Sequence, residues 1–185
     1  MTVRVFISVP IPVKDEMDGL FSDLRKTGKI RTPSKAQMHL TLCFIGDVEE
    51  RKIRDIERCV DNAVADIGPS EITVKGISTF PEKGDPRIVW TGIETDIPLK
   101  TIAERISLNL DAAGIYHDKK PFKPHLTVGR VNGRTDLSDI LGRYSDTVFL
   151  TTPCTEIRVM KSELLPSGAK HSVIHSSELK NDTRS

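Results

Sequence analysis

MHLTLCFIG (residues 38–46) and KPHLTVGRV (residues 123–131) both carry His-Leu-Thr inside an apolar, β-branched run. The chain has only five histidines, so two of them in the same three-residue context are rare by chance. A single His-x-Thr on a strand is usually no more than a polar patch. Its repetition indicates a repeated supersecondary unit or a paired site.

Both runs are expected to form β-strands, and side chains alternate between the two faces of a strand. His39 and Thr41 should project to one side, as should His125 and Thr127 in the second run. The intervening leucines should project to the other side, where an apolar core would accept them. If the two strands lie near each other, two imidazoles and two hydroxyls converge.

The composition is that of an ordinary globular protein. The chain has 185 residues, of which 37% are hydrophobic and 29% charged, and its formal net charge is +1. This length supports one well-buried core or two lobes that share it. A near-neutral total neither indicates nor excludes a nucleic-acid partner, because a local basic patch can be hidden in it.

The cysteines and the N-terminal residues indicate a reducing compartment. Cys43, Cys59 and Cys154 are odd in number and widely spaced, which disfavours a disulfide framework or a zinc knuckle. No apolar stretch has membrane-spanning length, and no signal-peptide pattern precedes the first strand-like run. We therefore expect a cytoplasmic protein with no membrane contact. As a separate expectation, the protein acts as a monomer.

Hydrophobic periodicity predicts alternating strands and helices. Besides the two His-Leu-Thr runs, strands are expected at 3–9, 71–80, 88–94, 147–150, 155–165 and 170–176. Amphipathic helices are expected at 17–24, 53–67, 99–110 and 137–144. Mixed elements with hairpin-like late strands favour an α+β fold over a doubly wound parallel sheet. We expect one domain over 1–185, with a frayed polar tail at 178–185.

Two imidazoles that converge from neighbouring strands fit a specific chemistry. In-line cleavage of a phosphodiester needs a base on the attacking oxygen and an acid on the leaving oxygen. An imidazole with a pKa of about 6.5 can take either role near neutral pH. Threonine hydroxyls can donate hydrogen bonds to the non-bridging oxygens. No metal or other cofactor is needed by this layout, so none is expected.

The same residues carry a family resemblance. HLTL and HLTV resemble the paired His-x-Thr-x signatures of the 2H phosphoesterase superfamily. RVFISV, MHLTLCFIGDV, the FP and PRIVW pieces within residues 80–90, KPFKPHLTVGRV and VMKSELLPSGA resemble, in order, the RNA 2',3'-cyclic phosphodiesterases once named 2'-5' RNA ligases. The resemblance covers nearly the whole chain.

The resemblance implies a bilobal α+β fold, in which two pseudo-symmetric lobes of mainly antiparallel sheet with outer helices enclose a central cleft. It also implies hydrolysis of RNA 2',3'-cyclic phosphate ends to 2'-phosphomonoesters, with tRNA fragments as one candidate substrate. His39 would be the general acid and His125 the general base. Thr41 and Thr127 would hold the phosphate.

Arg130 matches an arginine that commonly follows the second signature, and would add positive charge. Strict alternation from His125 points Arg130 away from the cleft, so a bulge at Gly129 or a curled side chain is required. His171 stands where the family more usually has a tyrosine. This departure does not affect the pairing of His39 with His125, but any substrate contact that the family makes at this position is not expected to carry over unchanged.

Other residues have simpler interpretations. His117, His171 and His175 are expected to be surface or structural, and Trp90 to be core. Phe6, Phe44 and Phe80 are expected to pack, although each could stack on a base. The basic stretch Lys119, Lys120 and Lys123 is either a solvated loop or a contact for a polyphosphate.

Two alternatives to a hydrolase remain at this point. One is a protein that binds RNA or joins RNA ends through a 2'-5' bond, with incidental hydrolysis. The other is a metal site made of His39, Cys43 and His125, because Cys43 continues the alternation of the first signature. The metal site is disfavoured, since it gives the threonines no role.

Overall fold

The computed structural model describes residues 1–82 and 84–181. Within them lie nine strands and four α-helices. The strands are β1 (Thr2–Pro10), β2 (Ile30–Arg31), β3 (His39–Glu49), β4 (Ser70–Glu82), β5 (Asp85–Thr95), β6 (His125–Val131), β7 (Val148–Cys154), β8 (Glu156–Leu165) and β9 (Gly168–Glu178). The helices are α1 (Asp18–Lys26), α2 (Ile53–Val64), α3 (Leu99–Ala112) and α4 (Ser138–Arg143).

The strands form two antiparallel sheets. The first sheet has the order β3-β1-β8-β9, and the second has the order β2-β6-β5-β4-β7. Every pairing between neighbouring strands is antiparallel. The predicted α+β class is therefore confirmed. Each His-Leu-Thr strand belongs to a different sheet, and β3 of the first sheet contacts β6 of the second.

The core is built from the apolar faces of these strands and of the helices. Val5, Ile7 and Val9 of β1 are fully buried, as alternation along a strand requires. Helix α2 packs against β8 and β9, and α3 packs against α2 and β3. Burying a side chain such as Ile56 of α2 stabilises the fold by about 1.5–3 kcal/mol.

The structure differs from the sequence predictions at two places. Strand β2 was not predicted, because two residues are too short for any periodicity. The first residues of the tail expected to be frayed from residue 178 are held by the fold: Glu178 ends β9, Leu179 is buried, and the amide of Lys180 donates to the carbonyl of Ile67. Residues 182–185 of that tail lie outside the described residues.

Two further properties concern membrane-spanning helices and the state of the cysteines. In the described part of the chain, no helix combines the length and hydrophobicity that crossing a bilayer requires. The three cysteines are free and buried. Their state agrees with the reduced thiols expected from their spacing.

Candidate active site

The two His-Leu-Thr strands have the same burial pattern, position by position. Residues 39–45 and residues 125–131 both run half-buried, buried, half-buried, buried, buried, exposed, buried. His39 and Thr41 thus share the accessible face of β3, and His125 and Thr127 share that of β6, as alternation predicts. The repeat in sequence is therefore a repeat in structure.

The alternation breaks after the threonine of β6. Thr127 and Gly129 pair with consecutive residues of β5, so Val128 is an extra residue in β6. Such a bulge reverses the facing of everything that follows it. Arg130 therefore returns to the face of Thr127, where strict alternation would have turned it away.

Strand β3 has a bulge at the equivalent place. Thr41 and Cys43 pair with consecutive residues of β1, which leaves Leu42 as the extra residue. Cys43 consequently turns into the core, and Phe44 turns to the accessible face, with 38% of its surface exposed. Phe44 is thus the counterpart of Arg130 in the other lobe.

Because of this bulge, the side chain of Cys43 does not share the accessible face with His39. Burial raises the pKa of its thiol to about 12, and the charge of Asp118 acts in the same direction. A neutral buried thiol is a poor metal ligand. Across the described residues, no group of three or more His, Cys, Asp or Glu side chains is arranged to hold a metal ion. The alternative site of His39, Cys43 and His125 is therefore not assembled.

The accessible faces of β3 and β6 line one cleft of about 470 Å³. The walls are Arg4, Phe6, Pro33, Gln37, Met38, His39, Thr41, Phe44, His125, Thr127, Arg130, Ser162, Leu164, Ala169 and His171. These described wall residues include two arginines and no carboxylate. The cleft is therefore a cationic site in a nearly neutral chain, suited to an anion.

Each signature histidine is anchored in the same way. Nδ1 of His39 lies 2.6 Å from the carbonyl oxygen of Gln37, and Nδ1 of His125 lies 2.6 Å from that of Lys123. A carbonyl oxygen only accepts, so Nδ1 must carry the hydrogen in both rings. In each neutral ring, Nε2 is left as the nitrogen that can exchange a proton with a ligand.

His39 is half-buried at the wall of the cleft. Burial lowers its pKa below the ordinary histidine value, and the hydrogen bond to the carbonyl of Gln37 opposes this shift. In the free protein at neutral pH, His39 therefore favours the neutral form.

The ring of His39 packs against two other rings on the wall of the first sheet, and these two also contact each other. Phe6, which is only 4% exposed, has its ring centroid 4.9 Å from that of His39. His171 of β9 meets His39 edge-on, with centroids 5.3 Å apart. His171 thus lies inside the cleft, although the sequence favoured a surface or structural position.

An aromatic pair supports His125 on the second sheet. Phe80 stacks on Trp90 with centroids 5.0 Å apart, and the ring of Phe80 meets His125 edge-on at 5.1 Å. Nζ of Lys123 lies 4.9 Å from the centroid of Phe80 and 5.1 Å from that of Trp90. These cation–π contacts fix the segment whose carbonyl anchors His125.

Two arginines supply the positive charge of the cleft. Arg130 is exposed and lines the wall beside Thr127. The guanidinium of Arg4 lies 5.2 Å from the ring centroid of Phe44, across the first sheet. Each sheet therefore contributes one arginine to the wall of the cleft.

Two histidines and one lysine of interest lie away from the cleft. Lys119 is bonded to Asp111, and His117, which is completely buried, also contacts Asp111 at 3.0 Å. His175 lies 2.8 Å from Asp61 on α2, on the face of β9 away from the cleft. These histidines are structural, as expected. Within the predicted basic stretch, Lys119 and Lys123 have different partners: Lys119 is bonded to Asp111, whereas Lys123 lies over Phe80 and Trp90.

Sequence reasoning missed several contributors to the site. The carbonyls of Gln37 and Lys123 carry no side-chain signal, and only their shared position two residues before each histidine could have pointed to them. Arg4 could have been found, because it alternates with the core residues of β1. Phe6 was named from the sequence, but its contact with His39 was not. Nothing local could have brought His171 to His39, since that contact depends on sheet order.

The chain is similar to known proteins over nearly all its length. Residues 13–164 match a family described as the 2'-5' RNA ligase superfamily. A Methanocaldococcus jannaschii protein named RNA 2',3'-cyclic phosphodiesterase is 31% identical, over 93% of this chain and 98% of its own. Proteins of the same name from Thermotoga maritima and Archaeoglobus fulgidus are 31% and 30% identical, and each is matched over 94% of its length.

Solved structures share the fold. The crystal structure of a Thermus thermophilus protein has a TM-score of 0.76 at 24% identity, covering 97% of this chain and 99% of its own. E. coli LigT complexed with 3'-AMP has a TM-score of 0.78 at 16% identity, with the same coverage. The bilobal arrangement of two antiparallel sheets around a cleft, implied by the sequence resemblance, is thereby confirmed.

Proposed function

We propose that this chain, which belongs to the 2'-5' RNA ligase superfamily, hydrolyses RNA 2',3'-cyclic phosphate ends to 2'-phosphomonoesters. One observation carries the proposal: two His-Thr pairs from separate sheets line one cationic cleft, and each histidine has the same Nδ1 anchor. The relatives named RNA 2',3'-cyclic phosphodiesterase support the substrate class.

The proposed reaction transfers two protons. His125 removes a proton from a water molecule, whose oxygen forms a new bond to phosphorus. The bond between phosphorus and the 3' oxygen breaks, and His39 donates a proton to that oxygen. The product carries a 2'-phosphomonoester and a 3' hydroxyl. An acid and a base of this kind typically contribute 10²–10⁴-fold each.

The threonines and arginines act on the phosphate. Thr41 and Thr127 donate hydrogen bonds to its non-bridging oxygens, on which negative charge grows in the transition state. Arg130 adds positive charge from the second lobe, since the bulge at Val128 turns it toward the cleft. All of these groups belong to β-strands, which hold them more rigidly than loops would.

The acid role of His39 requires the substrate. Burial lowers the pKa of His39, so the free protein disfavours the imidazolium. An anionic cyclic phosphate beside Nε2 favours the charged form and raises the proton affinity of the ring. The proton is therefore expected to be held when substrate is bound, which is when the leaving oxygen needs it.

We also propose where and on what the enzyme acts. The enzyme acts as a cytoplasmic monomer on RNA ends such as those of tRNA fragments, and it needs no metal. Three buried free thiols are compatible with a reducing compartment. Activity is expected to survive a chelator, because proton transfer by two imidazoles requires no Lewis acid.

Joining of RNA ends is the second candidate. The reverse reaction uses the same site, with a 5' hydroxyl as the attacking group in place of water. The family description names ligation, and this keeps the candidate open for the chain. Hydrolysis is preferred because water is far more concentrated than RNA ends.

Product analysis on a defined oligonucleotide tests the proposal. An RNA of about ten nucleotides with a 2',3'-cyclic phosphate end is incubated with the protein, with and without chelator. We expect many turnovers to a 2'-phosphate product, and loss of about 10² or more in kcat for His39→Ala and His125→Ala. His175→Gln is the matched control, because this histidine faces α2.

Three results would contradict the proposal. A 3'-phosphate product would mean that the wrong bond breaks. Activity lost with chelator and restored by zinc would favour metal catalysis. Fewer than one turnover, with joined oligonucleotides as the main product, would favour the ligase.

A further inference from the structure

A third histidine shares the wall of the first sheet with His39. His171 pairs across the strands with Ser162 of β8, which also lines the cleft. The ring of His171 lies edge-on to His39, at 5.3 Å between centroids, and edge-on to Phe6 at 4.9 Å. A ligand that reaches His39 therefore comes within reach of His171.

The two nitrogens of His171 have different surroundings. Within the described residues, Nδ1 is buried and has no hydrogen-bond partner. The residue itself is half-buried and lines the cleft, so its accessible edge is the one that carries Nε2. A buried N–H without an acceptor is costly, whereas an unpaired acceptor is tolerated better. The hydrogen of the neutral ring is therefore expected on Nε2.

The ring also resists a second proton. Burial lowers the pKa of His171 below the ordinary value, and a positive charge on His39, when that ring is protonated, lowers it further. Protonation would place a hydrogen on the buried Nδ1, which has nothing to accept it. His171 is thus a neutral donor where His39 is a proton carrier, although the two rings are in contact.

We propose that His171 is a third substrate-contacting histidine, which donates its Nε2 hydrogen to a substrate oxygen on the His39 side of the phosphorus. This inference rests on the proposed function, because it needs a phosphate ester in the cleft. A neutral N–H suits that place, since a second imidazolium beside His39 would oppose the protonation that the acid role requires.

Two substitutions separate the hydrogen bond from the packing. His171→Phe keeps a ring against Phe6 and His39 but removes both nitrogens. His171→Gln removes the ring and offers an amide nitrogen at about the depth of Nε2. The control is His175→Gln, on the same strand but on the opposite face. Thermal unfolding of all variants verifies that each one folds.

Steady-state hydrolysis of adenosine 2',3'-cyclic phosphate is the first measurement. His171→Phe should lower kcat/KM about tenfold, mainly through a higher KM, as expected for one hydrogen bond made to an anionic group in both ground and transition states. His171→Gln should recover kcat/KM to within about threefold of wild type. His175→Gln should match wild type in both constants.

Calorimetric binding of adenosine 2'-monophosphate is the second measurement, and it separates the two proposals. If the protein binds this ligand but turns over neither the cyclic nucleotide nor the cyclic-phosphate oligonucleotide, the proposed function fails. The role of His171 then stands only if His171→Phe weakens binding about tenfold. Equal binding or kinetics in wild type and His171→Phe overturns the role of His171. If His171→Gln fails to rescue the defect of His171→Phe, His171 does not act as a hydrogen-bond donor. If wild type neither binds adenosine 2'-monophosphate nor turns over the cyclic phosphate, both proposals are overturned.

Discussion

At the scale of single residues, the two signature histidines are anchored alike but differ in surroundings. Nδ1 of His39 and of His125 each donates to a carbonyl two residues earlier. His39 lies against Phe6 and His171, and burial lowers its pKa. Equivalent positions with unequal surroundings allow two imidazoles to take different roles in one reaction.

Sequence alone could predict the pairs and not the anchors. The face shared by His39 and Thr41 follows from strand alternation, which is a local rule. The carbonyls of Gln37 and Lys123 lie in the segments that enter the strands, where no periodicity applies. The contact of His171 with His39 depends on the order of four strands in the sheet, which no local pattern contains.

Leaving-group chemistry should distinguish the two histidines. We expect His39→Ala and His125→Ala each to lower kcat by about 10² or more, and their effects not to add. A substrate with sulfur in place of the bridging 3' oxygen has a leaving group that needs no proton. It should therefore restore the activity of His39→Ala more than that of His125→Ala. The measurement is kcat for both substrates with each variant.

The sulfur substrate also needs a control. Wild-type protein must cleave it, and thiolate release is followed with a thiol reagent. Equal rescue of both variants, or preferential rescue of His125→Ala, would mean that the acid and base roles are reversed.

The threonine hydroxyls should contribute to activity by donating hydrogen bonds to the phosphate. Thr41→Val and Thr127→Val keep the side-chain shape and remove one donor each. We expect kcat/KM to fall roughly 10–100-fold for each, since a hydrogen bond to a charged group contributes about 1.5–3 kcal/mol. Thr151→Val, on an exposed position of β7 that bonds to Thr73, is the matched control and should match wild type. Unchanged kcat/KM in the cleft variants would remove the threonines from the mechanism.

At the scale of elements, two bulges decide which residues follow the threonines into the cleft. Alternation alone would have kept Cys43 on the accessible face and turned Arg130 away. The extra residues Leu42 and Val128 reverse both outcomes. A bulge depends on how the neighbouring strand pairs, so the sequence of one strand does not reveal it. Only Gly129 hinted at an irregularity.

Gly129 is expected to be required for the packing behind the bulge. A Cβ at this position would lie 2.6 Å from Cγ2 of Ile30 on the short strand β2. Gly129→Ala should therefore lower the free energy of unfolding by about 1–3 kcal/mol, the usual cost of overpacking. Because β2 and β6 pair beside Arg130, kcat/KM should fall as well. The measurements are denaturant unfolding and steady-state kinetics.

Gly142→Ala is the control for Gly129→Ala. Gly142 lies in α4, and a Cβ there would meet nothing within 4 Å. Alanine should be neutral or should stabilise the helix by up to about 1 kcal/mol. If both variants behave alike, the close approach of Ile30 does not constrain residue 129.

At the scale of the whole molecule, the cationic cleft arises from how the two sheets meet. The net charge of +1 gave no sign of it. Arg4 comes from the first sheet and Arg130 from the second, and the described wall between them carries no carboxylate. A charge distribution of this kind is a property of the fold and not of the composition.

The stability of the whole protein should fall in mild acid because of two histidines in the cleft. Burial lowers the pKa of both His39 and His171 in the folded protein, while in the unfolded chain both titrate near the ordinary value of about 6.5. Between these values the unfolded chain binds more protons, so the free energy of unfolding decreases as the pH falls. Tm should therefore drop by a few degrees between pH 7.5 and pH 5.5, since about 1 kcal/mol corresponds to roughly 2–4 °C at this size.

Carboxylates change the stability of the protein only at lower pH, so they do not obscure the effect of the histidines. The Tyr144 hydroxyl holds the pKa of Asp23 below its usual value, and Arg158 does the same for Glu156. Their contributions are lost only as the pH falls below about 4.5, the range where unfolded carboxyls titrate. His39→Phe and His171→Phe should each flatten the decline of Tm above that range, because each variant removes one group that the unfolded chain protonates first. An unchanged decline in both variants would mean that acid sensitivity originates outside the cleft, and that its imidazoles are not desolvated in solution.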